Sequence, residues 1–510
     1  MERTKAGIPR SGLLWLAAAE LVLHFAGSGR YGFFRDELYY IACGDHLAWG
    51  YVDQPPLIAA VARLSRLLLS DSLTAYRFFP ALAGACVVLL TGWMAAELGG
   101  RRFAQMLAGL TILLAPSHLA FGSFLSMNAF EPVIWMVCIS ILIRILKGGD
   151  ARLWLLFGAV AGIGLLNKHT TLVFGFAVLA GLILARQWQP FRNQWFWLGG
   201  LLAFAIFLPN LIWEARNGWS QIEVVRNAQE FKNTPIGPLR FLGEQVLFLN
   251  PVAFPVLAAG LGWLFLAKAG RRFRCLGWAL VIVLAVFITL RGKTYYPLPA
   301  YPMVVAAGGV GLGTVPGLLR RRWLRLAYPA TLVVSGIATI PYGVPVLPVE
   351  TFLRYADVLQ LARTVKPERD SDQRLTQLYA DMFGWESMTA TVAAAYHSLP
   401  PAEQARCAIL AGNYGEAGAI DFFGARYGLP KAISGHNNYY LWGPRGYTGE
   451  IAIVFGEHAE FIKSTFDQVE LAGTIASPYA VAVEQNLPVY ICRRSRVPLI
   501  ALWPKLRFYI

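Results

Sequence analysis

Eleven apolar stretches, each close to the length of a membrane-crossing helix, occupy residues 12–28, 77–99, 104–121, 128–146, 153–167, 169–186, 195–213, 244–267, 275–291, 295–314 and 323–342. A helix needs about 20 mostly apolar residues to cross the hydrocarbon core of a bilayer. In lipid each backbone N–H and C=O must be satisfied internally, so long apolar stretches read as helices. The rest of the composition agrees. The chain of 510 residues is 56% hydrophobic and only 15% charged, where a soluble domain carries about 25% charged residues. The first stretch reads as a membrane anchor and not a cleaved signal, because Glu20 and His24 interrupt it and no small-residue cleavage site follows.

The charges between these stretches set an orientation. Arg3, Lys5 and Arg10 precede the first stretch. Alternate connections then carry Arg101-Arg102, Arg144 with Lys147 and Arg152, Arg186 with Arg192, Lys268 with Arg271, Arg272 and Arg274, and Arg320-Arg321-Arg322 with Arg325. Basic residues concentrate in short cytoplasmic loops, so these connections are expected inside, in the cell inner (plasma) membrane. The net charge of +15 resides largely in them, which argues against a nucleic-acid partner and for membrane lipids. With eleven crossings the C-terminal end falls on the outer, extracytoplasmic side.

Every chemically unusual stretch falls in an outer connection. "YGFFRDELYYIACGDHLAWGYVDQPPL" (31–57) gathers Arg35, Asp36, Glu37, Asp45, His46 and Asp53 among aromatics. Asp36 and Glu37 precede an expected short helix, and "YVDQPPL" reads as a turn held by Pro55-Pro56. "SMNAFEPVIW" sets Asn128 and Glu131 three apart on one helix face; Asn128 could also be an N-cap. A carboxylate at the entrance of an apolar bundle is costly unless paired or functional. "LLNKHTT" places Lys168 and His169 at one outer helix boundary, and "RGKTYYPLPAYP" places Arg291, Lys293, Tyr295 and Tyr296 at another. Cations on the side that is otherwise poor in them suit an anionic ligand, naturally a phosphate. A carboxylate at the lipid boundary can serve as a general base toward a hydroxyl when burial or a second carboxylate raises its pKa.

From about residue 343 the composition changes. Short apolar runs bounded by Gly and Pro, such as "CAILAG", "IAIVFG" and "PVYICR", alternate with segments such as "ESMTATVAAAYHSL". They read as buried strands with helices between them. Residues 1–342 are thus expected to form a transmembrane catalytic domain and residues 343–510 a soluble outer α/β domain. Cys407 and Cys492 fall in two of these strands and read as buried thiols, with pairing the alternative. No Cys/His cluster suggests a metal; no cofactor is required by the sequence, and a divalent ion is left open.

"RDELYY", followed in the same loop by "DQPPL", and then "GLLNKHT" and "GKTYYPLPAYP", resembles the family 39 glycosyltransferases of the GT-C superfamily over roughly residues 30–310. These include the dolichyl-phosphate-mannose–protein mannosyltransferases and, nearby, the bacterial lipid A aminoarabinose transferase. The resemblance implies a polyprenyl-phosphate sugar as donor, undecaprenyl phosphate in a bacterium, and a lipid, glycan or protein acceptor. It matches Asp36 to the catalytic carboxylate, Glu37 to its companion acid, and Pro55-Pro56 to the family's proline pair. The chain departs from the pattern at Gln54, where the family often has His, and at Asn128, where many members carry Asp; Glu131 is then the nearest acid. The expectation is an inverting transferase in which Asp36 and Glu37 are catalytic and Lys168, Arg291 and Lys293 bind the donor phosphate. Arg35, Tyr39, Tyr40, Asn128, Glu131, His169, Tyr295 and Tyr296 are expected to contact substrate. Two other classes compete: a lipid or glycan transporter without chemistry, and a scaffold for envelope assembly. A transporter predicts inverted repeats and broken helices in both halves, and neither is evident in the sequence.

Overall fold

A computed structural model describes residues 10–314, 322–359 and 374–510; Arg3, Lys5, Arg320 and Arg321 of the basic ends lie outside them. The chain divides into two compact units. The first comprises Met1–Arg30, Thr74–Ile212 and Pro235–Pro348; the second comprises Tyr31–Leu73, Trp213–Thr234 and Val349–Ile510. The segment with the carboxylates, within Tyr31–Leu73, therefore belongs to the same unit as the C-terminal region.

The first unit is helical, and each of the eleven apolar stretches falls on a helix or a bent helix pair. Among the described residues, five helices are long and apolar enough to cross a membrane: Leu73–Glu97, Met127–Leu146, Gln194–Arg216, Arg271–Thr289 and Trp323–Gly343. Two further helix pairs are long and apolar enough together but bent, Arg102–Leu113 with Pro116–Gly122 by 66° and Pro238–Leu249 with Pro251–Leu266 by 93°. Both breaks precede a proline, which lacks an N–H and drives the residue before it out of the helical region. Ala115 is accordingly extended, and Asn250 takes φ 85° and caps the next turn by accepting the Val252 N–H at 3.0 Å. Broken helices, not evident in the sequence, are thus present. Ser11–Gly27, Leu153–Asn167, Thr170–Leu184 and Leu298–Thr314 are apolar but shorter than a full span.

Small residues set how closely these helices approach. A Cβ on Gly158 would lie 1.9 Å from the carbonyl oxygen of Gly199, and one on Gly199 2.2 Å from that of Trp154. Gly162, one turn on, faces Ala203 in the same way. Such small-residue faces let membrane helices pack backbone to backbone. The outer helices are different. Only 17% of the Gln194–Arg216 window and 11% of the Trp323–Gly343 window is buried, so their apolar side chains face outward, as lipid contact requires. The polar residues that interrupt the first stretch point inward: Glu20 Oε1 lies 2.9 Å from His118 Nε2 and 3.3 Å from His24 Nε2.

The second unit holds a four-stranded sheet of β1 (Cys407–Ala411), β2 (Ile451–Phe455), β3 (Phe466–Ile475) and β4 (Leu487–Ser495), in the order β1-β2-β4-β3. The first pair is parallel and the other two are antiparallel. β1 and β2 are buried throughout, which their continuous apolar sequences predict. β3, "FDQVELAGTI", sits at the edge and is mostly exposed. Cys407 and Cys492 are buried thiols on non-adjacent strands and form no disulfide. Helices Trp385–His397 and Tyr414–Phe423 pack with the sheet, and Tyr414–Phe423 also packs on the helix Arg35–Asp45.

Candidate active site

The acids expected ahead of a short helix instead form its first turn. Asp36 and Glu37 open the helix Arg35–Asp45, where carboxylates suit the positive end of the helix dipole. Glu37 is fully buried, and its carboxylate accepts the Phe34 N–H at 2.7 Å, which satisfies an otherwise orphaned donor of the helix start. Asp36 is half-buried, and its Oδ1 accepts the hydroxyl of Tyr414 at 2.9 Å. No described residue hydrogen-bonds its Oδ2.

The residues around this turn are held just as firmly. Arg35 donates to Glu484 Oε1 at 2.9 Å and forms an ion pair with Asp381 Oδ1, also at 2.9 Å, and its guanidinium lies 5.9 Å from the Trp385 ring. One guanidinium faces two buried carboxylates. Burial, outweighing the attraction of Arg35 and helped by the charge of Asp381, pushes Glu484 up to about 7. Tyr39 donates to Asp53 Oδ1 at 2.8 Å and accepts the Asn438 N–H at 3.3 Å. Burial raises Asp53 to about 7; the Tyr39 hydrogen bond opposes the rise and the charge of Asp36 adds to it. Tyr40 is buried beside Tyr39, with ring centroids 6.1 Å apart. "YVDQPPL" is the turn expected: Tyr51 and Gln54 bridge across it, and Pro56 caps the helix Leu57–Leu68.

In the first unit a second cluster assembles around Lys168. This residue is extended between the helices Leu153–Asn167 and Thr170–Leu184. Its ammonium donates to Asn128 Oδ1 at 2.7 Å and Glu131 Oε2 at 3.0 Å, with the Tyr296 ring at 4.6 Å and the Tyr295 ring at 5.9 Å. The Thr170 hydroxyl donates to the other oxygen of Glu131. Ser126, not Asn128, is the cap of the helix Met127–Leu146, which releases the Asn128 amide for Lys168. Lys293 lies 5.9 Å from the Tyr295 ring. Asn128, Glu131, Lys168, Lys293, Tyr295 and Tyr296 are thus brought together. His169 turns elsewhere, to Asn210 Oδ1 at 3.0 Å and the Phe207 ring. Arg291 is exposed past the end of Arg274–Thr289, at φ 50°, and makes none of these contacts.

The sequence reading gave no role to Tyr414, Asp381, Glu484, Thr170 or Asp53. Tyr414, Asp381 and Glu484 lie hundreds of positions from their partners, and no local pattern announces them. Among the described residues no group of three or more His, Cys, Asp or Glu side chains is placed to hold a metal ion.

Helical crossings, bent pairs and a C-terminal sheet together make the fold of the GT-C membrane glycosyltransferases. ArnT from Cupriavidus metallidurans, solved bound to undecaprenyl phosphate, superposes with a TM-score of 0.64 at 14% identity, over 95% of this chain and 98% of that one. Arabinofuranosyltransferase AftD from Mycobacteria gives 0.53 at 14% identity, over 96% of this chain and 40% of that one. The Archaeoglobus fulgidus oligosaccharyltransferase gives 0.50 at 14% identity, over 83% and 64%. Residues 53–213 match the family model of the dolichyl-phosphate-mannose-protein mannosyltransferases. No curated protein matches the chain.

Proposed function

We propose that this chain is an inverting glycosyltransferase of the inner membrane that moves a sugar from a polyprenyl-phosphate donor to a hydroxyl of a lipid, glycan or protein acceptor, at the extracytoplasmic face. The observation that carries the reading is the likeness, over nearly the whole chain, to a structure holding undecaprenyl phosphate. In the reaction, Asp36 Oδ2 takes the proton of the acceptor hydroxyl. The acceptor oxygen bonds to the anomeric carbon as the bond from that carbon to the phosphate oxygen breaks. The polyprenyl phosphate leaves with the electron pair, and the configuration inverts. Glu37 holds the helix turn that presents Asp36.

Lys168 is assigned to the phosphate. An ammonium has three N–H donors; Asn128 and Glu131 take two, and no described residue takes the third. Arg291 and Lys293 are assigned to the same charge, a form of electrostatic stabilisation that is often the largest catalytic contribution. His169, Tyr295, Tyr296, Tyr39, Tyr40 and Arg35 remain assigned to the substrate environment, Arg35 through its two carboxylate partners.

The test is sugar transfer by the purified full chain in detergent with a synthetic polyprenyl-phosphate sugar, read as release of polyprenyl phosphate. The two bent helix pairs favour one competing reading, a transporter that binds the same lipid without cleaving it. Donor binding without release of polyprenyl phosphate, across a panel of sugars and acceptors, would select that reading.

A further inference from the structure

We propose that Tyr414, from the C-terminal region, is a positioning residue for the Asp36 carboxylate; this rests on Asp36 being the base. The Tyr414 hydroxyl donates to Asp36 Oδ1 at 2.9 Å. Tyr414 is buried, and a buried hydroxyl needs a partner. A hydrogen bond to a carboxylate is charge-assisted and stronger than a neutral one. With Oδ1 committed, the rotation of the carboxylate is restrained and Oδ2 is the oxygen left to receive a proton.

Three features of the sequence bring the hydroxyl there. Asn413 caps the helix Tyr414–Phe423, its Oδ1 accepting the N–H groups of Gly415 at 2.9 Å and Glu416 at 3.0 Å, so Tyr414 occupies the first helical position. Gly415 and Gly418 then lie on one face. A Cβ on Gly418 would be 3.1 Å from the Leu38 backbone, and one on Gly415 2.5 Å from Arg35 Cγ, so this face closes onto the helix Arg35–Asp45. The Tyr414 ring packs against two others, tilted contacts with centroids 4.7 Å from Tyr39 and 4.8 Å from His436. Burial, with the charges of Lys232 and Arg35, holds His436 down to about 3, so it packs as a neutral ring. A tyrosine clamped by a cap, two glycines and two flanking rings has little freedom to withdraw its hydroxyl. Asp381, Glu484 and Asn438 hold Arg35 and Tyr39 on either side, so residues beyond 348 engage three of the six positions of "RDELYY" through hydrogen bonds.

The test compares the full-length protein with Tyr414→Phe, with 3-fluorotyrosine incorporated at 414, and with Tyr396→Phe, whose hydroxyl serves only the Gln404 carbonyl. Turnover is normalised to donor-binding sites, so that any misfolded fraction drops out. Tyr414→Phe keeps the ring and removes the donor; kcat is expected to fall about 10- to 100-fold with KM for donor and acceptor unchanged. The fluorinated residue keeps the donor and is expected to stay within about twofold of the parent, as is Tyr396→Phe. Wild-type kcat in Tyr414→Phe, alongside an inactive Asp36→Asn, would overturn the role of Tyr414 and leave that of Asp36 standing. Equal losses in the Phe and fluorotyrosine proteins would overturn it too, by making the effect one of packing. An active Asp36→Asn would remove the underlying reading itself.

Discussion

At the scale of single residues, the ion pairs decide what each charge can do. Lys168 spends two donors on Asn128 and Glu131, so it arrives at a ligand already aimed. A hydrogen bond to a charged group contributes about 1.5–3 kcal/mol. Removing the ammonium should therefore raise the donor KM roughly 10- to 100-fold and leave the acceptor KM unchanged. Lys168→Ala alone would strand Glu131, which is buried, and a stranded buried charge is strongly destabilising. The measurement is made on Lys168→Ala with Glu131→Gln; an effect confined to acceptor saturation would contradict the assignment.

Glu484 gives a second residue-scale prediction, in pH. It is raised from 4.5 to about 7 in the folded protein, chiefly by burial. Between those values the folded state keeps the proton while the unfolded chain has released it, so stability falls as pH rises through the window. The difference amounts to roughly 3 kcal/mol at its full extent. Melting temperature in detergent should drop from pH 5 to pH 7.5, and Glu484→Gln should lessen the drop, leaving the share of Asp53, which burial raises into the same window. A parent protein that melts higher at pH 7.5, with Glu484→Gln unchanged, would contradict this.

At the scale of elements, legibility followed the length and continuity of the pattern. The eleven apolar stretches could be read because about 20 apolar residues in a row permit little else. β1, β2 and β4 could be read from short apolar runs. β3 escaped because a mostly exposed edge strand has no such run: "DQVELAG" is largely solvent-facing and carries no continuous apolar signal. The bends at Pro116 and Pro251 were present in the sequence as prolines inside apolar stretches, but a proline marks the break without fixing its angle. The Lys168 cluster was legible because each member sits in a motif at a helix boundary. The Tyr414–Asp36 contact joins positions 378 apart, and nothing local in "GNYGEAGAIDFFG" names its partner. One prediction belongs here. Gly158→Val places a side chain where the Gly199 carbonyl already lies, since even a Cβ would be 1.9 Å away. Overpacking typically costs about 1–3 kcal/mol, and backbone cannot step aside as a side chain can. The variant should melt several degrees lower or fail to fold, whereas Gly200→Val, with nothing within 4 Å of its Cβ position, should match the parent. Equal melting of the two would remove the close helix contact.

At the scale of the whole molecule, the carboxylates of Tyr31–Leu73 and residues 349–510 belong to one compact unit, which links the reading of that segment to the fate of the C-terminal region. If Asp36 works outside the cell membrane, the C-terminal sheet does too. Single cysteines at Glu230 and Glu460, both exposed in this unit, should react with an impermeant thiol reagent in intact spheroplasts. One at Lys268, exposed in a basic connection, should react only after lysis. Reaction at 268 and not at 230 or 460 in intact cells would invert the orientation. The central claim, however, is chemical: a polyprenyl-phosphate sugar is cleaved with Asp36 as the base. The most direct measurement is the turnover of Asp36→Asn under saturating donor, with donor binding followed in the same sample. The substitution keeps the shape and removes the basicity, and loss of a general base costs about 10²- to 10⁴-fold. The account predicts a fall of that size in released polyprenyl phosphate with donor affinity retained; parental turnover by Asp36→Asn would contradict it.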